Sequence, residues 1–172
     1  ALQGPPPSFR SDSEELPSIE ATLTKRPDLS EHLMWQLKLT DWSEEERTFG
    51  ALVIGNLDED GYLKDVNVID LAAQAGLDPE DAEELLSMIQ EFDPPGVGAR
   101  DLKECLKIQA RPFTKDWPLL ERIIDHHMED LERRNYPAIF KDLNVSQDEL
   151  RRLAHLLTTL EPKPGRPFGG EN

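Results

Sequence analysis

Four places in the 172-residue chain carry residue types that do chemistry, at spacings that can be checked against known sites. In "NLDEDGYLKDVN", Asn56, Asp58, Asp60 and Gly61 fall on positions one, three, five and six of a calcium loop, with apolar Leu63 at eight. The twelfth position, where a bidentate glutamate closes the calcium shell, is Asn67. The same residues suit a polar turn between helices with Gly61 in a left-handed conformation, so both readings stand. His126-His127 precedes Glu129 and Asp130, which are ligand types, but His127 lies on an apolar helical stripe and no third ligand follows at a metal-site spacing. Cys105 sits between Leu102 and Leu106, the setting of a packed thiol and not of an activated nucleophile. Gly96-Val97-Gly98 is glycine-rich enough to cradle a phosphate, yet such a loop follows a strand, and here the preceding pattern is helical. No nucleophile-elbow, Walker or metalloprotease motif occurs, so no enzyme activity and no cofactor are expected.

The elements that must position these residues read as helices. "DLSEHLMWQLKL" places Leu29, Leu33 and Leu37 on one side of a helix. Ser43 and Glu46 form a capping box before a helix carrying Phe49, Leu52 and Val53. A short helix then holds Val68, Ile69, Leu71, Ala72 and Ala75, with Gly76 as its stop. Asp78 as cap and Pro79 in the first turn open a helix with Ala82, Leu85, Leu86 and Ile89 on its buried face. Further on, one long helix is expected to carry Leu120, Ile123, Ile124, His127 and Leu131, a short one Ile139, Phe140 and Leu143. Ser146 and Glu149 cap a last helix with Leu150, Leu153, Ala154 and Leu157. Alternating strand patterns are almost absent.

A shift of 68 positions lays Ala82, Leu85, Leu86 and Ile89 on Leu150, Leu153, Ala154 and Leu157, and Asp78 on Ser146. Both copies end alike, in "FDPPG" and "LEPKPG". The expected fold is therefore all-α, with two small helical subdomains, each built on a helix-turn-helix-like unit, preceded by an extended acidic linker. The boundaries are 1–27 for an acidic, proline-rich linker, 28–110 and 111–162 for the subdomains, and 163–172 for a linker leading onward.

Charge narrows the partners. The net charge is −16, and residues 1–110 hold 9 basic against 24 acidic side chains. Such a surface repels a DNA duplex, and the helix after Gly76 would present Glu80, Asp81, Glu83 and Glu84 to it. No apolar run reaches the ~20 residues a membrane span needs, and "ALQGPPPSF" has no signal-peptide pattern. With Cys105 as the one cysteine, a reducing, cytoplasmic setting is expected.

"MIQEFDPPGVGARDLKECLKIQ" resembles the hallmark of the sigma-54 class of bacterial transcription initiation factors. The matching residues are Gln90, Phe92, Asp93, Pro94, Gly96 to Leu102, Glu104 to Leu106 and Gln109. "EHLMWQL", "LDEDGYL" and "LEPKPGRPFG" support the resemblance elsewhere. It covers residues 28–169 and implies the core-binding region of a sigma factor, a partner of core RNA polymerase around the β flap and neighbouring subunits. By resemblance, Phe92, Asp93, Pro94, Gly96, Gly98, Arg100, Asp101, Glu104 and Cys105 are structural or core-binding. The family's N-terminal activator-responsive region and its C-terminal promoter-reading region match nothing here, so the chain is expected to be a fragment. Promoter DNA and ATP-driven activators would then be reached only through those other regions. The alternative is a calcium-responsive helical sensor using loop 56–67.

Overall fold

Capping decides where the helices begin. A computed structural model describes residues 27–169. The acidic linker expected over 1–27 lies outside the described residues except for Pro27, as does the end of the 163–172 segment. Asp28 and Glu31 form a reciprocal capping box on α1 (Leu29–Lys38), Ser43 and Glu46 on α2 (Glu44–Gly55). Asn67 caps α3 (Val68–Ala75) by accepting from the Ile69 amide at 2.9 Å. Pro79 opens α4 (Pro79–Ile89); Asp78 occupies the cap position but its side chain makes no cap bond. Asp101 caps α5 (Leu102–Ala110). After a 3-10 turn at Thr114–Asp116 come α6 (Trp117–His126), α7 (Met128–Glu132) and α8 (Tyr136–Asp142). Ser146 and Glu149 box α9 (Gln147–Thr158), and a second 3-10 turn spans Arg166–Phe168. Each side-chain cap supplies about 0.5–2 kcal/mol. Among the described residues there is no strand, so the fold is all-α.

Two departures from the periodic pattern have local causes. The long helix expected through His127 is broken there into α6 and α7, with His127 at φ −130°. The imidazole is held between two carboxylates, Nδ1 2.8 Å from Asp130 and Nε2 2.7 Å from Asp142, and this bends the chain toward α8. Leu102, expected on the buried stripe with Cys105 and Leu106, is 48% exposed at the first turn of α5.

The buried side chains form two main bodies. In one, Phe49, Val53, Leu71, Leu86 and Ile89 pack together, and Trp42, Leu57 and Phe92 join them to Leu33, Leu37, Ile54 and Val97. In the other, Leu120, Ile123, Ile124, Ile139 and Leu153 pack with Leu106 and Ala110 of α5. Between them lies a small cluster of Tyr62, Ala99, Cys105 and Ile108. Each fully buried large side chain contributes about 1.5–3 kcal/mol.

The repeat seen at a shift of 68 positions has a further part at a shift of 73. Asp28-Leu29-x-Glu31-x-Leu33-x-x-Gln36 matches Asp101-Leu102-x-Glu104-x-Leu106-x-x-Gln109, with caps at Asp28 and Asp101 and buried Leu33 and Leu106. In sequence the frame α1, α2, α3 and α4 thus corresponds to α5, α6, α8 and α9, and α7 stands in the place of loop 56–67, in a connection that is shorter in the second copy.

Candidate functional site

The motif residues meet at one corner between α4 and α5. Gln90 ends α4, and its carbonyl accepts from the Gly96 amide at 2.9 Å. Its buried carboxamide donates to the Gly98 carbonyl at 3.1 Å, so the loop closes on the helix that precedes it. Gly96 has φ +98° and Gly98 φ +79°, where an L side chain is strained. Space is also short: a Cβ on Gly96 would stand 2.9 Å from Cys105 Sγ and 3.0 Å from Gln109 Nε2. Between the glycines, Val97 is fully buried against Leu33, Leu37 and Ile54. The Gly98 amide donates to the Gly61 carbonyl at 2.8 Å and the Leu63 amide to the Ala99 carbonyl at 2.9 Å, pinning the corner to loop 58–63. Phe92 stacks on Trp42 at 6.2 Å, and the Asp93–Pro94 bond is cis.

The charged residues of the motif hold the start of α5. Arg100 donates to Glu104 at 2.7 Å and to Glu83 of α4 at 2.9 Å, and the Arg100 amide also donates to Glu104 at 2.7 Å. Asp101 accepts from the Glu104 amide at 2.8 Å. Burial opposes the charge on Glu104, but the bonds from Arg100 outweigh it and hold the carboxyl below its usual range. The bonds Arg100 donates to Glu104, against some burial cost, and to Glu83 push its guanidinium above its already high value. Cys105 is buried, and that burial raises its thiol above the ordinary value, the opposite of an activated nucleophile.

Sequence reasoning missed the side-chain amides that close the two frames. Gln36 donates to the Asp93 carbonyl at 2.7 Å and accepts from the Asp93 amide at 2.8 Å. Gln109 does the same to Glu161, at 2.7 Å in both directions. Each glutamine acts as a short strand edge, satisfying both backbone groups of the acidic residue after its frame's last helix. The signal was present in the matched x-x-Gln of the two copies. Asp93 also lies 2.9 Å from His32, whose ring stacks on Phe168 at 5.2 Å.

The segment from Glu161 to Phe168 reaches back across both bodies. Cys105 Sγ lies 3.7 Å from the Glu161 carbonyl, and the Tyr62 hydroxyl donates to the Pro162 carbonyl. Burial raises the Tyr62 pKa, which keeps that donor protonated. Gly165 donates to the Asp60 carbonyl at 2.9 Å, and a Cβ there would stand 2.6 Å from the Glu59 carbonyl oxygen. Only a glycine fits that approach of two backbones.

The other chemical candidates are occupied by structural work. In loop 56–67, Asp58 accepts from the Asp60 and Tyr62 amides at 2.9 Å each, while Asn67 caps α3. His127 is nearly buried between Asp130 and Asp142, and Asp142 also takes a bond from Arg122 at 2.8 Å. His126 is not drawn into this cluster. Among the described residues no group of three or more His, Cys, Asp or Glu side chains is arranged to hold a metal ion. No described helix is long and apolar enough to cross a membrane.

Fold and corner together define an all-helical scaffold whose characteristic polar residues engage backbone and one another. The chain belongs to the sigma-54 family: the model described as "Sigma-54 factor, core binding domain" matches residues 18–172. It is similar to the RNA polymerase sigma-54 factor of Acidithiobacillus ferridurans, 37% identical over 169 residues, covering 96% of this chain and 35% of that protein. The factor of Escherichia coli K12 is 34% identical over 159 residues, 89% of this chain and 33% of the relative. That of Xanthomonas euvesicatoria is 35% identical over 164 residues, 92% and 34%. The chain spans about a third of the length of these relatives.

Proposed function

We propose that this chain binds core RNA polymerase and, within a longer sigma factor, sets the position of the promoter-reading region. The observation that carries the reading is the family match over residues 18–172. The corner supports it physically. Its motif side chains are turned inward, holding two cores as one scaffold, so its product is a fixed geometry and not a reaction. Along the chain the subdomains are 28–110 and 111–162, and α5, the last helix of the first, is shared: Cys105 and Ile108 pack with Tyr62 and Ala99, Leu106 and Ala110 with the second core. The polymerase contact is assigned to the β flap and neighbouring subunits, in the bacterial cytoplasm. Promoter DNA and ATP-driven activators are reached by regions outside these residues.

The test is capture of purified core polymerase by the immobilised chain, beside a gel shift on promoter DNA. Capture with no sequence-specific shift is the expected result. A specific shift by this chain alone, or no capture, contradicts the proposal.

A further inference from the structure

The two frames differ most on one face. Between α8 and α9 an open groove of about 580 Å³ is lined by Tyr136, Pro137, Phe140, Leu150, Arg151 and Ala154. Tyr136 is 41% exposed at its mouth. In the first frame the corresponding apolar positions are Val68, Ala72, Ala82 and Leu86, which are buried, and Ile69, which stands at the place of Pro137 and is 58% exposed. There Gly98 lies over Leu86, its would-be Cβ 3.5 Å from the leucine. The position of Arg151 is taken by Glu83, which binds Arg100. The equivalent surface therefore presents a paired glutamate in one copy and an arginine beside an apolar groove in the other.

One charged residue, Arg151, lines the open groove. Arg151 stands on α9, and His155, four residues on, shares its side of the helix; Lys141 stands four residues after Pro137 on α8. All three are exposed. Asp148 pairs with Arg151 at 2.9 Å, but both side chains are largely in solvent, and such a pair gives way readily to another carboxylate. Residues 1–110 carry 24 acidic against 9 basic side chains, so an acidic segment is repelled from the first frame and met by opposite charge at this groove. Tyr and Arg side by side at an apolar depression are the residue types that dominate binding energies.

We infer that the α8–α9 groove is a docking seat for an acidic segment of core polymerase that inserts a leucine or aromatic side chain between Tyr136, Phe140 and Ala154 while its carboxylates meet Arg151 and Lys141. This rests on the proposed polymerase partnership and gives it a place and a chemistry.

The test uses the full 172-residue chain and purified core polymerase. Arg151→Glu and Tyr136→Ala are measured for affinity, with thermal midpoints read alongside; both side chains are exposed, so the midpoints stay near the unmodified value. Each variant is expected to bind core polymerase about tenfold or more weakly, and Arg151→Glu also to lose part of the salt dependence. A photo-cross-linking phenylalanine analogue at position 136 is expected to capture a polymerase peptide rich in Asp and Glu with an apolar anchor. Unchanged affinity in both variants overturns the groove assignment while leaving the partnership intact. So does cross-linking to a basic peptide, to residues 1–26, to a second copy of the chain or to DNA. Absence of binding by the unmodified chain overturns the partnership itself.

Discussion

At Gly96 a single added carbon meets a sulfur at 2.9 Å and an amide nitrogen at 3.0 Å, with φ at +98°. Strain and crowding act together, so Gly96→Ala is expected to cost about 2–4 kcal/mol. At Gly98 the nearest atom to a Cβ is 3.5 Å away, and only the φ penalty remains, about 1–2 kcal/mol. Chemical denaturation of the two variants checks the order; equal losses would show that crowding at Cys105 is unimportant. His127 gives a pH signature. Burial opposes its charge, but the bonds to Asp130 and Asp142 outweigh burial and raise its pKa above the ordinary 6.5. Its stabilisation is full below 6.5 and is lost as pH rises through the raised value. The midpoint of the unmodified chain is therefore expected to fall across that window, and that of His127→Gln to stay flatter; parallel curves would contradict the assignment. Asp142, held down to about 2 chiefly by Arg122 and then by His127, keeps its charge throughout. The sequence indicated that the glycines turn a corner and that His127 sits on an apolar stripe. Asp130 was visible beside His127 as a possible ligand, but Asp142 was not indicated, because it lies 15 residues away and beyond a helix break.

Among the elements, the caps and stripes were legible because their causes are local: Ser43 with Glu46 and Ser146 with Glu149 act over three residues. The glutamine clamps were not, since a helical glutamine reads as solvated and its partners lie 57 and 52 residues away. Gln109→Leu removes both bonds to Glu161 and leaves its backbone groups to water, an expected loss of about 1–3 kcal/mol. Hydrogen exchange should localise the loosening to residues 161–168 and to loop 58–63, which that segment touches. Exchange unchanged there would show that the clamp does not hold the segment. The partial echo at a shift of 68 was readable on α4 and α9. The matching α1 and α5 were obscured because the connection between α6 and α8 is shorter than that between α2 and α3, so the offset is 73 before it and 68 after it.

For the whole molecule, charge and repetition were read from sequence, whereas the return of residues 161–168 onto the first frame was not. That return depends on Gly165 approaching the Glu59–Gly61 backbone, a contact across about a hundred residues that leaves only a glycine as its trace. It fixes the two cores as one scaffold, and a scaffold of fixed shape is what a docking function requires. Competition measures that function most directly: labelled full-length sigma-54 factor bound to core polymerase, titrated with the 172-residue chain. Displacement of the labelled factor, with promoter DNA left unbound by the competing chain, is the predicted result. Retention of the label at saturating chain would contradict the account.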